Sequence, residues 1–361
     1  MPGGLRVVAS ATAVAVLCAA QVRASSATVG PAPARAAVYT AVTAGDISPA
    51  VAGDPERVYV PDSGGGTVEV IDPATFAVVD RLVVGPIPHH VTPSWDLRYL
   101  YVDNEGFNSL TVIDPRTAKP AGTVPAVHPY NLYFTPDGSE AIDVVERLSR
   151  LDFLDPHSWR LLKSVPIPCC GVDHMDFSAD GTRLLVSTEF AGVLVEVDTR
   201  SMAVTRTLRV GGYPIDVRLS PDGATFLVAN QARNGVSIVD AAALREVGFV
   251  PTGRGAHGLV LSRDAGSFYV SNRYEGSVSV LDAVTHTVRA TWRFGGSPDM
   301  MTLSPDGTRL WVSGRFDRAV YVLDTTTGAL LHRIAVGASP HGLCFFPNVG
   351  AVSLGHNGMY R

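Results

Sequence analysis

The chain has 361 residues, a formal charge of −5, 17% charged and 46% hydrophobic residues. A balance so near neutrality, with no basic stripe, leaves no case for a nucleic-acid surface. Four cysteines are too few to hold a disulfide scaffold together, so the fold must rest on an apolar core.

The N-terminus opens with Arg6 and an apolar run at 7–22, followed by Val22-Arg23-Ala24. That order predicts a signal peptide over residues 1–24, cleaved near Ala24 and too short to span a membrane. Leu17 before Cys18 is the wrong residue for a lipoprotein site, which favours a soluble secreted or periplasmic protein with no transmembrane segment. Residues 25–35, rich in Ser, Ala and Pro, read as a flexible linker, and 36–361 as one β-propeller domain, monomeric.

From residue 46 onward a unit repeats every 41 to 43 residues, marked by VEVID ending at Asp72, LTVID at Asp114, LDFLD at Asp155, VEVD at Asp198, VSIVD at Asp240, VSVLD at Asp282 and VYVLD at Asp324. Each unit holds an alternating apolar stretch, a tight turn such as Ser220-Pro-Asp-Gly223 or Ser304-Pro-Asp-Gly307, and further apolar runs. Pro and Gly supply the preset and positive φ that such turns need. Four short strands at this period, without helical periodicity, predict an all-β propeller of four-stranded blades. The repeats favour eight blades, with Ala36–Val42 completing a partial C-terminal blade built from 339–346 and 351–358. Seven blades with a spare hairpin is the alternative.

In a propeller the first strand of each blade is innermost. Aligning the units places Ile47, His89, Tyr130, Asp173, Ile215, His257, Asp299 and His341 at the first-strand starts, followed by Ser48, His90, Asn131, His174, Asp216, Gly258, Met300 and Gly342. Five of the ten histidines fall in these two columns, which marks one channel mouth as the candidate site. The ends of the second strands, Ser63, Glu105, Glu146, Glu189, Gln231, Arg273, Arg315 and His356, belong to the same mouth. His128 lies nearby in sequence.

The strings LYVDNE (100–105), FYVSNR (268–273), LWVSGR (310–315) and VYVPDS (58–63), set among SPDG turns and VxVID runs, resemble the YVTN-type β-propeller repeat proteins. That family is grouped with the haem-binding propeller of cytochrome nitrite reductases and the copper-binding propeller of nitrous oxide reductase. The likeness spans nearly the whole chain beyond the signal. It implies the fold, and it implies that hub histidines can hold a cofactor, because nitrous oxide reductase binds copper through propeller-hub histidines that include an adjacent pair like His89-His90. Tyr130, Ile215 and Asp299 interrupt the hub here and no cupredoxin domain is present, so that copper cluster does not carry over whole.

Three function classes follow. In the first, the mouth binds a small molecule or a transition metal, with His89, His90, His174, His257 and His341 as ligands; imidazole suits copper, zinc or iron. In the second, a lactonase- or lyase-like enzyme, or a metal-dependent oxidoreductase, works at the same mouth with Glu105, Glu146 or Glu189 as base and Arg273 or Arg315 holding a carboxylate. In the third, the histidines are structural, Asp299–Arg315 is an ion pair, and the propeller is a protein-interaction scaffold. GxSxG, P-loop, HExxH and CxxCH motifs are absent, which excludes covalent c-type haem and leaves noncovalent haem open. The adjacent Cys169 and Cys170, four residues before His174, suggest a vicinal disulfide or a soft ligand pair.

Overall fold

The computed structural model describes residues 38–361 together with Met1 and Gly3; the expected signal peptide and linker lie outside the described residues. Alternating apolar runs form seven four-stranded antiparallel blades of a β-propeller, one of them extended to six strands by a C-terminal hairpin. No α-helix occurs among the described residues, and none is long and apolar enough to cross a membrane.

Burial grades outward through every blade. In the second blade the inner strand Pro88–Pro93 is wholly buried, whereas the outer strand Lys119–Pro125 is almost wholly exposed. Side chains from adjacent blades share the cores, as where Leu227 and Val236 meet Leu259 and Phe268. The Asp-Gly turns lie at the end of the blades away from the channel mouth, with Gly223 and Gly307 at φ of +69° and +73°, which suits a residue without Cβ.

The ring holds seven blades, the second of the two counts the repeats allowed. Cys344–Phe346 pairs with Arg57–Asp62 and becomes the innermost strand of the first blade. The C-terminal segment therefore closes the ring. Ala36 and Ala37 lie outside the described residues, and Val38–Val42 forms turns in place of the expected closing strand. Ile47 and Ser48 consequently start no inner strand; Ile47 only bridges Val349 and Gly350.

With the first blade already complete, the remaining tail has no blade to enter. Ser353–Gly355 and Met359–Tyr360 form a hairpin that adds to the channel side of Asn131–Phe134. His356 is therefore the turn of an intra-channel hairpin and not the end of a second strand.

Candidate functional site: a histidine-lined hub

The two columns of mouth residues stand on a repeated β-bulge. Pro88 pairs with Asn104 and Val91 with Val102, so His89 and His90 together face Asp103. The same two-against-one register sets Asp173-His174 against Ser187, His257-Gly258 against Ser271 and Asp299-Met300 against Ser313. A bulge bends the strand and redirects side chains, which explains how two consecutive residues per blade reach one hub. Serine hydroxyls accept the freed bulge N–H groups of His174, Gly258 and Met300 at 3.1, 2.8 and 3.1 Å.

Six histidines meet there: His89, His90, His174, His257, His341 and His356, all buried. Their environments divide into two groups. On one side Asp299, fully buried, accepts from Arg273 Nε at 3.0 Å and from His341 Nδ1 at 2.7 Å, with His257 Nδ1 3.1 Å away. Arg273 also donates to His257 Nε2. Burial opposes ionisation of Asp299, but Arg273 and the two imidazoles hold its carboxyl well below the usual range.

On the other side His90, His174 and His356 face one another with ring centroids 5.3, 5.0 and 4.6 Å apart. One ligand-capable nitrogen from each lies within 4.8 Å of the others. His90 Nδ1 donates to Asn357 Oδ1 at 2.8 Å, which fixes the tautomer and leaves Nε2 as a buried lone pair without a partner. The side-chain amide of Asn131 lies 2.9 Å from Nδ1 of both His174 and His356 and so ties the two rings together. His174 Nε2 also lacks a hydrogen-bond partner. His356 stacks on Tyr133, centroids 5.8 Å apart.

Burial holds all six imidazoles neutral. His90 and His257 are pushed down to about 3, and His174, His341 and His356 well below their ordinary value. His89 is lowered less, because burial is offset by its bond to Glu105 at 2.8 Å. Burial would raise Glu105, but His89 and Arg147 hold it down to about 2. Burial pushes Glu189 up to about 7 against the pull of Arg273.

The hub thus collects His89, His90, His174, His257, His341, His356, Asp173 and Asp299. Arg273 is the direct partner of Asp299, reaching it from the neighbouring blade. Arg315, the partner expected from hairpin adjacency, keeps its Nε 4.0 Å away and bonds Ser63 Oγ and Ser339 O instead. Glu146 is half-buried, and burial raises its pKa. His128 stays at the rim, its Nδ1 3.2 Å from the carbonyl of Glu105. Cys169 is partly buried and Cys170 exposed, both as free thiols. Asn357, Tyr133 and Arg147 were missed. Asn357 lies between glycines at a hairpin tip, a signal that becomes informative only once that hairpin is known to enter the channel.

The sequence matches the model of YNCE-like β-propellers over residues 12–348. A search of curated proteins finds no match. Among solved structures the chain is similar to hydrazine synthase of Kuenenia stuttgartiensis, with 21% identity, a TM-score of 0.62 and coverage of 71% of this chain and 88% of the other. It is also similar to a protein of unknown function from Desulfotomaculum acetoxidans, with 18% identity, a TM-score of 0.69 and coverage of 80% and 98%. Dihydro-heme d1 dehydrogenase NirN in complex with DHE aligns with 17% identity, a TM-score of 0.63 and coverage of 81% and 77%. At these identities the likeness is one of fold.

Proposed function

The chain belongs to the YNCE-like β-propeller family, and from that premise we propose that it is an exported binding protein whose hub takes up a transition-metal ion between His90, His174 and His356. The observation that carries this reading is the convergence of three neutral, buried imidazoles, with Nε2 of His90 and of His174 left without hydrogen-bond partners. Leaving a buried polar atom unpaired costs about 1–3 kcal/mol, and a cation between these rings removes that cost. An all-imidazole set suits copper, zinc or iron. Rings 4.6 to 5.3 Å apart leave room for an ion and none for a tetrapyrrole. Asn357 and Asn131 would orient the ligands, as hydrogen-bonded outer groups do in metal sites. Export rests on the charge and apolar pattern of residues 1–24 alone.

The test is elemental analysis after challenge with Cu(II), Zn(II) or Fe(II) and dialysis. One ion per chain in the wild type and none in a His90→Ala, His174→Ala, His356→Ala variant is the expected result; wild-type protein that emerges metal-free would discard the reading.

A second reading, a partner protein docked over the mouth, is favoured by a different observation. Phe107, Phe190, Tyr274 and Phe316 stand 52% to 66% exposed just beyond the second strands of four blades, and aromatic side chains are enriched at interaction surfaces. In-cell cross-linking that depends on Phe107 and Phe316 would support it; unchanged cross-links in a double serine variant would count against it.

A further inference from the structure

The intra-channel hairpin carries His356 into the histidine hub on one side. On its other side, toward the Asp-Gly-turn end, a cavity of about 60 Å³ is lined by Arg218, Arg263 and Arg361 with Tyr39, Thr302 and Met359. At 10–15 Å³ per water it has room for roughly four to six non-hydrogen atoms.

Three guanidinium groups share two side-chain carboxylates here. Arg218 Nη1 lies 3.0 Å from Asp216 Oδ1, and Arg361 Nη2 lies 3.0 Å from Asp176 Oδ1. Both acids are already divided among backbone donors, Asp216 accepting from Val217 and Leu259, and Asp176 from Phe177 and Leu219. Arg263 has no carboxylate within ion-pair distance among the described residues. It donates only to neutral oxygens: Ser304 O at 3.2 Å, Leu303 O at 2.9 Å and Asn348 Oδ1 at 2.7 Å. Burial pushes its pKa down to about 10, the mark of a desolvated cation short of a counter-charge. Nε of Arg361 is buried and has no partner, and its guanidinium sits 5.9 Å from the ring centre of Tyr39.

We propose that this cavity binds a small monocarboxylate, its head held by Arg263 and Arg361 and its short alkyl part against the apolar wall of Val42, Val260, Leu261 and Met301. Planar guanidinium donors match a carboxylate, and one unit of negative charge supplies the missing counter-charge. The apolar wall selects against a phosphate dianion, whose remaining oxygens would find no donors there.

The site is independent of metal, so the experiment uses the full chain freed of metal by chelation. Thermal unfolding and isothermal titration are run at constant ionic strength and pH 7.5 with acetate, propionate, phosphate or chloride. A saturable rise in Tm with acetate or propionate, absent with chloride and phosphate, and a Kd weakened at least tenfold in Arg263→Gln, is the expected result. Arg361→Gln serves as the second variant should Arg263→Gln fold poorly. Equal effects of all four anions, a response confined to phosphate, or unchanged binding in the folded variants would overturn the proposal.

Discussion

Two halves of one hub use the same residue type for different ends. On the Asp299 side, His257 and His341 sit against an ionised carboxylate and Arg273, so positive and negative charge balance within a few ångström. On the opposite side two asparagines orient His90, His174 and His356, no arginine among the described residues reaches them, Asp173 Oδ1 stands 3.3 Å from His174 Nε2, and Nε2 of His90 and of His174 have no hydrogen-bond partner. The lesson is that a histidine's role follows from the partners of its two nitrogens: where an acid and an arginine hold them, the ring is a structural member, and where an amide holds one and leaves the other unbonded, the ring is free to ligate.

The largest effect should come from breaking the balanced side. Asp299→Asn leaves Arg273 buried without its counter-charge and should destabilise the chain by about 3–5 kcal/mol in urea unfolding, as loss of one member of a buried pair does. Metal uptake by the folded fraction should persist. A loss below about 1 kcal/mol would mean that the network contributes little.

The next prediction isolates protonation. His257 stays neutral down to about pH 3 in the folded chain, whereas an unfolded histidine takes a proton near 6.5. A base with a lowered folded pKa makes the folded state lose stability as pH falls below the unfolded value. His257→Gln removes that proton from the unfolded ensemble. Between pH 6 and 4 the stability gap between variant and wild type should therefore move in the variant's favour by about 1.4 kcal/mol per pH unit. Parallel stability curves would show that His257 is charged in the fold. The trio gives a matched contrast: His174→Gln should weaken metal binding by about 100-fold where His257→Gln leaves it unchanged.

The sequence carried the fold further than the site. Asp72 to Asp324 set the blade period, and the columns starting at His89 and His90 identified the hub, because strand alternation and turn chemistry are local. Ring closure was not local. Whether Cys344–Phe346 opens an eighth blade or completes the first depends on which partner strand is free, and only the assembled ring decides that. His356 followed the same error: the repeat made it a strand end, and the completed first blade sent it into the channel beside His90 and His174. The pairing of Asp299 with Arg273 escaped for a related reason, since blade-to-blade contacts cross a boundary that repeat alignment does not register.

The smallest effect tests why the trio's side is the less settled one. Asp103 faces the His89-His90 bulge at the position that Ser187, Ser271 and Ser313 hold in other blades. Those serines accept a bulge N–H, whereas both carboxyl oxygens of fully buried Asp103 have no partner. Burial raises its pKa well above the ordinary value, so the group is held as a neutral acid. Asp103→Ser removes the unsatisfied acid and places a hydroxyl where it can accept from the N–H of His90. Relief of a buried unpaired polar group outweighs the small volume lost, so the variant should be more stable by about 1–2 kcal/mol at pH 7. Asp103→Ala, which relieves the acid without offering an acceptor, should gain less. A destabilised serine variant would show that the carboxyl has a native role at the bulge, and the contrast between the two halves of the hub would then rest on the histidines alone.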